Sequence, residues 1–92
     1  MKPRKQPYGD KNICGANIER LRKASGMKQC TLVMQMQLLG VDINPSSLSK
    51  LEGQNRIAAD YELKAIARIF GVSVDDLLKD RSSSESIIEK EQ

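Results

Sequence analysis

Three polar side chains in the middle of the sequence have a spacing that places them on one face of a helix. Ser46, Ser49 and Lys50 stand at i, i+3 and i+4, so an α-helix would present them as one outward stripe. Hydroxyl groups donate and accept hydrogen bonds, and a lysine ammonium donates them. The stripe indicates recognition of a polar or anionic surface; the alternative is a solvated face, although such a face more commonly carries Asp or Glu.

Groups suited to catalysis or metal binding are scarce. The 92 residues include no His, and the two cysteines, Cys14 and Cys30, lack the spacing of a metal or redox motif. We expect both to be buried free thiols in a reducing compartment. Asp75 and Asp76 are adjacent, so on a helix they diverge, which suits a helix N-terminus better than acid/base catalysis. We therefore expect a protein that is not an enzyme and uses no cofactor or metal.

Charge and hydropathy restrict the class of protein further. The net charge is +3, and residues 1–11 hold four basic side chains against one acidic side chain. A basic arm suits an anionic partner or serves solubility alone, and composition leaves both interpretations open. No apolar run reaches the length of a membrane span, and the N-terminus has no apolar core typical of a signal peptide. We expect a soluble, cytoplasmic protein.

The length fits one domain, because a chain of this size buries only about 60 to 65% of its unfolded surface. Residues 1–11, with three Pro or Gly residues and no apolar periodicity, are predicted to be a flexible basic arm. Residues 12–80 are predicted to fold, and residues 81–92 to form a polar tail in which Ile87 and Ile88 are isolated.

Two helices are predicted in the first half of the folded segment. The first starts near Ile13 and stops at Ser25-Gly26; its inward residues would be Ile13, Ile18, Leu21 and Ala24. Its outward residues would be Asn17, Glu19, Arg20 and Lys23. The second runs from Lys28 to Leu39 and stops at Gly40, with an apolar stripe of Leu32, Val33, Met36 and Leu39.

Three shorter helices are predicted to follow. Val41 and Ile43 would fill the core from a connector, because four residues without a partner make a poor strand. Asn44 is a good N-cap and Pro45 suits the first position of a third helix, which ends at Glu52-Gly53. Asp60 and Ser73 would cap the fourth and fifth helices. The predicted fold class is all-α, a compact five-helix bundle.

Residues 13–78 resemble the helix-turn-helix family of phage repressors and Cro proteins, the XRE-like family. Four segments carry the resemblance, in order: IERLRK at 18–23, GMKQ at 26–29, LSKLE at 48–52 and LKAIARIFGVSVDDLL at 63–78. It implies a lambda repressor-like DNA-binding domain. One departure is that Gln29 to Leu48 is about five residues longer than usual, with Gln37 where the family places its turn glycine.

The resemblance implies a sequence-specific transcriptional regulator that reads operator DNA through the major groove with the third helix, residues 45–53, as a homodimer on double-stranded DNA. The alternative is a protein-interaction module, such as an antitoxin or antirepressor, that holds a regulatory protein partner through the same scaffold. Residues 2–5 could follow phosphates or enter a minor groove, or have no role.

The implied DNA-binding residues lie at the second helix start, on the third helix and in the loop after it: Lys28, Gln29, Asn44, Pro45, Ser46, Ser49, Lys50, Asn55 and Arg56. Gln29 would contact a phosphate at a helix N-terminus, or only cap its helix. Arg56 would meet a phosphate from the loop. There Gln54 replaces the usual glycine, and we expect Gly53 to adopt the left-handed conformation instead. Arg22 and Glu52 would form a structural ion pair.

Overall fold

The computed structural model describes residues 7–79, which form five α-helices. They are α1 (Gly15–Ala24), α2 (Gln29–Leu38), α3 (Pro45–Glu52), α4 (Asp60–Phe70) and α5 (Val74–Leu78). The described part of the chain contains no strand, so the predicted all-α, five-helix class is confirmed. The basic residues of the arm up to Gln6, and the tail with Ile87 and Ile88, lie outside the described residues.

Local signals determine where several helices begin and end. The Asn44 side chain accepts a hydrogen bond from Ser47 N at 2.8 Å, and Pro45 occupies the first turn of α3. Ser73 Oγ accepts from Asp76 N at 3.1 Å at the start of α5. Gly71 ends α4 at φ 70°, a left-handed conformation that favours glycine.

The start of α4 differs from the prediction. Ala59, and not Asp60, is the N-cap residue, and Asp60 is the first helical residue. Ala59 has no side-chain acceptor; instead its backbone N–H donates to the Glu62 carboxylate at 2.9 Å. Asp60 remains in the first turn, where the helix dipole favours an acidic side chain.

The apolar core lies where the helices meet, with α3 packed against α1 and α2, and α4 against α2 and α5. The fully buried apolar side chains come from all five helices: Ile18, Leu32, Met36, Leu48, Leu51, Ile66 and Leu77. Val41 and Ile43 are buried with them, so the α2–α3 connector does fill the core as predicted. Because α3 contributes two leucines to this core, its opposite face is fixed relative to the other helices.

The inward face of α1 differs from the face that the apolar periodicity predicted. Ile13 is 64% exposed because α1 starts only at Gly15, and Ala24 is also exposed at the other end. Asn17 and Glu19, expected outside, are buried. The Asn17 amide donates to the carbonyls of Leu77 at 2.8 Å and Lys79 at 2.7 Å. The buried Asn17 therefore caps the end of α5.

Residues 8–11 belong to the segment predicted to be a flexible arm, and in the structure they form hydrogen bonds with the turn after α3. Gly9 N donates to Gly53 O at 2.8 Å, and Lys11 N donates to Gln54 O at 2.9 Å. The Tyr8 hydroxyl also donates to the Glu19 carboxylate at 2.5 Å. A Cβ on Gly9 would collide with Gln54 O, so this close approach requires glycine. This segment therefore lies against the turn after α3.

Two expectations about individual side chains are also corrected. Cys14 is buried, and burial raises the pKa of its thiol, but Cys30 is exposed and not buried as expected. Leu39, expected on the inner stripe of α2, is 41% exposed because the helix ends at Leu38.

No helix within residues 7–79 combines the length and the apolar character needed to cross a membrane.

Candidate nucleic-acid interface

One face of α3 is exposed while the other supports the core. Pro45, Ser46, Ser49 and Lys50 are exposed, whereas Leu48 and Leu51 are fully buried. Asn44 is exposed as well, but its side-chain oxygen accepts the N-cap hydrogen bond from Ser47 N. The outward stripe inferred from spacing is thus present on a helix whose inner side is fixed.

The C-terminal end of α3 is held by a buried ion pair. Glu52 accepts from Arg22 Nε at 2.7 Å and from Arg22 Nη2 at 3.0 Å, with side-chain exposures of 1% and 10%. Arg22 Nη1 also donates to Met27 O at 2.9 Å in the α1–α2 loop. The two-pronged contact restrains both the distance and the angle between α1 and α3.

The start of α2 is joined to this ion pair. Gln29, the first residue of α2, donates from Nε2 to Glu52 Oε1 at 2.9 Å. Lys28 precedes it as the N-cap residue, with an exposed side chain that makes no capping hydrogen bond. Glu52 therefore holds the Gln29 side chain beside the end of α3.

Gln37 explains how the long α2–α3 segment is accommodated. This residue is helical and exposed, and its side chain donates from Nε2 to Ile43 O at 2.8 Å. Gly40, three residues later, has a φ of 92° and lets the chain leave the helix. The additional residues therefore form a connector, 39–44, that is attached to α2 and inserted into the core.

The turn after α3 corrects the expectation for Gly53. Gly53 has an ordinary helical φ of −81°, and Gln54 itself takes the left-handed conformation at φ 61°. The Gln54 side chain accepts from Ala16 N at 3.1 Å and donates to Gly9 O at 3.2 Å. These two hydrogen bonds offset the strain of a left-handed residue with a Cβ.

Arg56 lies in this turn but its guanidinium is bound by the protein itself. Nε donates to Ser47 O at 3.0 Å, and Nη1 and Nη2 donate to the two Glu62 oxygens at 3.0 and 2.9 Å. Asn55, the neighbouring candidate, is exposed. Sequence reasoning missed Glu62, for which the available signal was an acidic residue in the first turn of α4.

Asn12 is a second structural residue that the sequence did not reveal. Its Nδ2 donates to Leu51 O at 3.1 Å and to Arg56 O at 2.8 Å. Its Oδ1 accepts from the N–H groups of Cys14 at 3.1 Å and Gly15 at 2.8 Å. An asparagine shortly before a helix is typical of this kind of cap, but the link to α3 depends on tertiary structure.

Comparison with solved structures identifies the architecture. The clp gene regulator ClgR from Corynebacterium glutamicum superposes with a TM-score of 0.67 at 23% sequence identity, covering 80% of this chain and 73% of that one. The chain has a helix-turn-helix fold. No protein-family model matches the sequence, and no curated protein matches it.

Within this fold, α2, residues 39–44 and α3 pack together as one α2–α3 unit. The unit brings together two groups of candidates. Gln29 is held at the end of α3 by its hydrogen bond to Glu52, and the exposed face of α3 carries Ser46, Ser49 and Lys50. Arg56 belongs to neither group, because its guanidinium binds Glu62 and Ser47 O within the protein. The candidates therefore divide into an exposed face and a set of supporting contacts.

Proposed function

We propose that this protein is a DNA-binding transcriptional regulator that reads operator DNA by placing α3 in the major groove. The observation that carries the proposal is the exposed polar face of α3, with Ser46, Ser49 and Lys50, on a helix fixed by the buried Arg22–Glu52 pair. A rigid, outward helix is what groove recognition requires. The likeness to a gene regulator of the same fold supports this function.

Each exposed side chain of α3 has a role suited to its chemistry. Lys50 donates hydrogen bonds to guanine O6 and N7. Each serine hydroxyl forms a hydrogen bond with a base edge and accepts more than one kind of base. Pro45 offers apolar contact to a thymine methyl group. Asn44 and Asn55, exposed on either side of α3, bond to the DNA backbone or to base edges.

Phosphate binding is assigned to the start of α2. The first-turn N–H groups and the positive end of the helix dipole attract an anion there. Lys28 adds a positive charge, and Glu52 sets the position of the Gln29 amide. A phosphate at this point orients the protein on the duplex, while α3 supplies the sequence preference.

Selection of randomised duplexes by the purified protein, followed by anisotropy titration of the enriched sequence, tests this function. Lys50→Ala should weaken binding by about 1–3 kcal/mol and relax the preference at one base pair. Lys64→Ala removes a charge from an exposed position of α4 and is the matched control, expected to have a much smaller effect. Failure of the wild-type protein to bind any duplex at low salt would refute the proposal.

The proposal includes a homodimer that reads two half-sites about one helical turn apart. Support comes from large apolar side chains left exposed in the monomer, of which Ile57 is 75% and Tyr61 is 61% exposed. Light scattering on the purified protein and the symmetry of the selected sequence test it together. A monomer that enriches one asymmetric half-site would contradict the homodimer but leave DNA binding intact.

A protein-interaction module remains the second candidate because Leu38, on α2, is 80% exposed. In that case a protein partner, and not a duplex, would cover the apolar surface. The duplex selection separates the two candidates: enrichment of a sequence that depends on Lys50 favours the regulator, and its absence favours the module.

A further inference from the structure

Arg56 was expected to contact a phosphate, yet its guanidinium already has partners within the protein. A guanidinium has five N–H donors. Four hydrogen bonds engage four of them here: Nε to Ser47 O, Nη1 to Ile57 O and to Glu62, and Nη2 to Glu62, all between 2.9 and 3.0 Å. The side chain is 24% exposed. Because most of its donors are bonded within the protein, we assign the residue a structural role.

Both carboxylate oxygens of Glu62 are also hydrogen-bonded within the protein. Its Oε1 accepts from Arg56 Nη1 and from Ala59 N, its Oε2 accepts from Arg56 Nη2, and its side chain is 7% exposed. Burial opposes ionisation of this carboxyl, but the hydrogen bonds from Arg56 and Ala59 and the arginine charge outweigh burial and lower its pKa. A phosphate that took Arg56 away would leave a buried carboxylate with one remaining donor, which is unfavourable.

The hydrogen bond from Arg56 to Ser47 O links the Arg56–Glu62 pair to α3. Ser47 lies in the first turn of α3, between the exposed Ser46 and the buried Leu48. Arg56 therefore connects the carbonyl of this first turn to the start of α4, just as Arg22 connects Glu52 at the other end of α3 to α1. Both ends of the helix are held by an arginine–glutamate pair.

We infer that Arg56 and Glu62 form a clamp that sets the orientation of the N-terminal half of α3, so that Arg56 is a positioning residue for DNA reading and not a phosphate contact. The inference rests on the proposed function. The clamp acts on the turn that carries Pro45 and Ser46, the part of α3 that enters the groove most deeply in this mode of recognition.

Glu62→Gln discriminates between the two roles because they predict opposite signs. If Arg56 positions α3, the substitution weakens specific binding by about tenfold, since a neutral amide holds the guanidinium less firmly. If Arg56 contacts a phosphate, the substitution releases a cation and raises affinity. Asp75→Asn makes the same change in net charge at an exposed position and measures the general electrostatic effect.

Arg56→Lys supplies the second arm, because lysine keeps the charge but cannot make the forked contact. A clamp predicts a loss similar to that of Glu62→Gln; a phosphate contact predicts nearly unchanged binding. The double variant Arg56→Gln/Glu62→Gln should keep the wild-type slope of log K against log salt if Arg56 is a clamp. A slope smaller by about 1 would identify a phosphate contact and overturn the inference.

The pH dependence of stability tests the clamp without DNA. Since the pKa of Glu62 is lower in the folded state, its contribution is present above the unfolded pKa and is lost as pH falls through the folded pKa. The difference in melting temperature between wild type and Glu62→Gln should therefore shrink from about pH 6 to about pH 3. A difference that stays constant over this range would contradict a charged clamp.

Failure of the inference and failure of the proposed function give different results. A wild-type protein that binds no duplex refutes the function and, with it, the positioning role. A wild-type protein that binds DNA, with Glu62→Gln binding more tightly and Arg56→Lys unchanged, refutes the clamp alone. Weakened binding by both variants, with the wild-type salt slope in the double variant, establishes it.

Discussion

The connections before and after α3 are held in different ways. Residues 39–44, before it, insert the buried Val41 and Ile43 into the core and make two side-chain hydrogen bonds, from Gln37 Nε2 to Ile43 O and from Ser47 N to Asn44 Oδ1. Residues 53–59, after it, make hydrogen bonds to Gly9, Lys11, Asn12, Ala16 and Glu62. The first connection depends mainly on apolar burial and the second on polar contacts.

The difference indicates how each connection can vary. Hydrophobic burial is not directional, so an apolar connector can take additional residues as long as its side chains reach the core. Hydrogen bonds depend on angle and distance, so the polar turn fixes the orientation of α3 more narrowly. The length of the connector before α3 is therefore compatible with a well-oriented helix.

The largest effect should come from Glu52→Ala at the end of α3. The variant leaves Arg22 buried without its carboxylate and removes the partner of Gln29. We expect a loss of about 3–5 kcal/mol in the free energy of unfolding. Urea denaturation measures the loss, and DNA affinity should fall with it. An unchanged urea denaturation curve would show that this polar contact does not hold α3.

Ile43→Ala should weaken the apolar connection by a comparable but smaller amount. Removal of this 3%-exposed side chain creates a cavity, and we expect a cost of about 2–5 kcal/mol in urea denaturation. Leu38→Ala, at an 80%-exposed position of α2, is the control and should stay within about 0.5 kcal/mol. Equal losses in the two variants would contradict the view that burial of Ile43 holds the connector.

The sequence predicted the elements around α3 because their signals are local. Asn44 and Pro45 mark the start of α3 within two residues, and Gly40 and Gly71 mark ends of helices. The exposed face of α3 followed from residue spacing in the same way. Helix limits and faces could thus be inferred wherever neighbouring residues determine them.

Contacts between distant residues could not be predicted from periodicity, and the Arg22–Glu52 pair was expected only from the family resemblance. Asn17 can be buried because its amide donates to the carbonyls of Leu77 and Lys79. These partners lie some sixty positions further along the chain, so the local sequence does not reveal them. The role of Arg56 depends on Glu62 and on the Ser47 carbonyl, which only the packing of α3 against the following turn brings together. Periodicity assigns a polar residue to the outside unless such partners are known.

Asn12→Ala should break the polar connection at its centre. It removes two hydrogen bonds to the carbonyls of Leu51 and Arg56 and two from the start of α1. We expect a loss of about 1–3 kcal/mol in the free energy of unfolding, because these groups lose partners in a partly buried place. Asn12→Asp keeps the acceptor oxygen that receives the two N–H groups but replaces the donating Nδ2 with a second acceptor oxygen.

The two Asn12 variants divide the contribution of this residue. An intermediate stability for the aspartate variant would assign part of the effect to the α3 end and part to the α1 start. If Asn12→Ala unfolds at the same urea concentration as wild type, the polar network after α3 does not stabilise the turn. Asn55→Ala, in the same turn but exposed, is the matched control.

Gln54→Gly should have the smallest effect, because it sets two opposing contributions against each other. Glycine relieves about 1 kcal/mol of strain at φ 61°, but the variant loses the hydrogen bonds to Ala16 N and Gly9 O, about 1 kcal/mol each. Glycine also gives the unfolded chain more freedom. We expect a net loss of about 1 to 2 kcal/mol in urea denaturation. A more stable variant would mean that backbone conformation, and not side-chain hydrogen bonding, determines this turn.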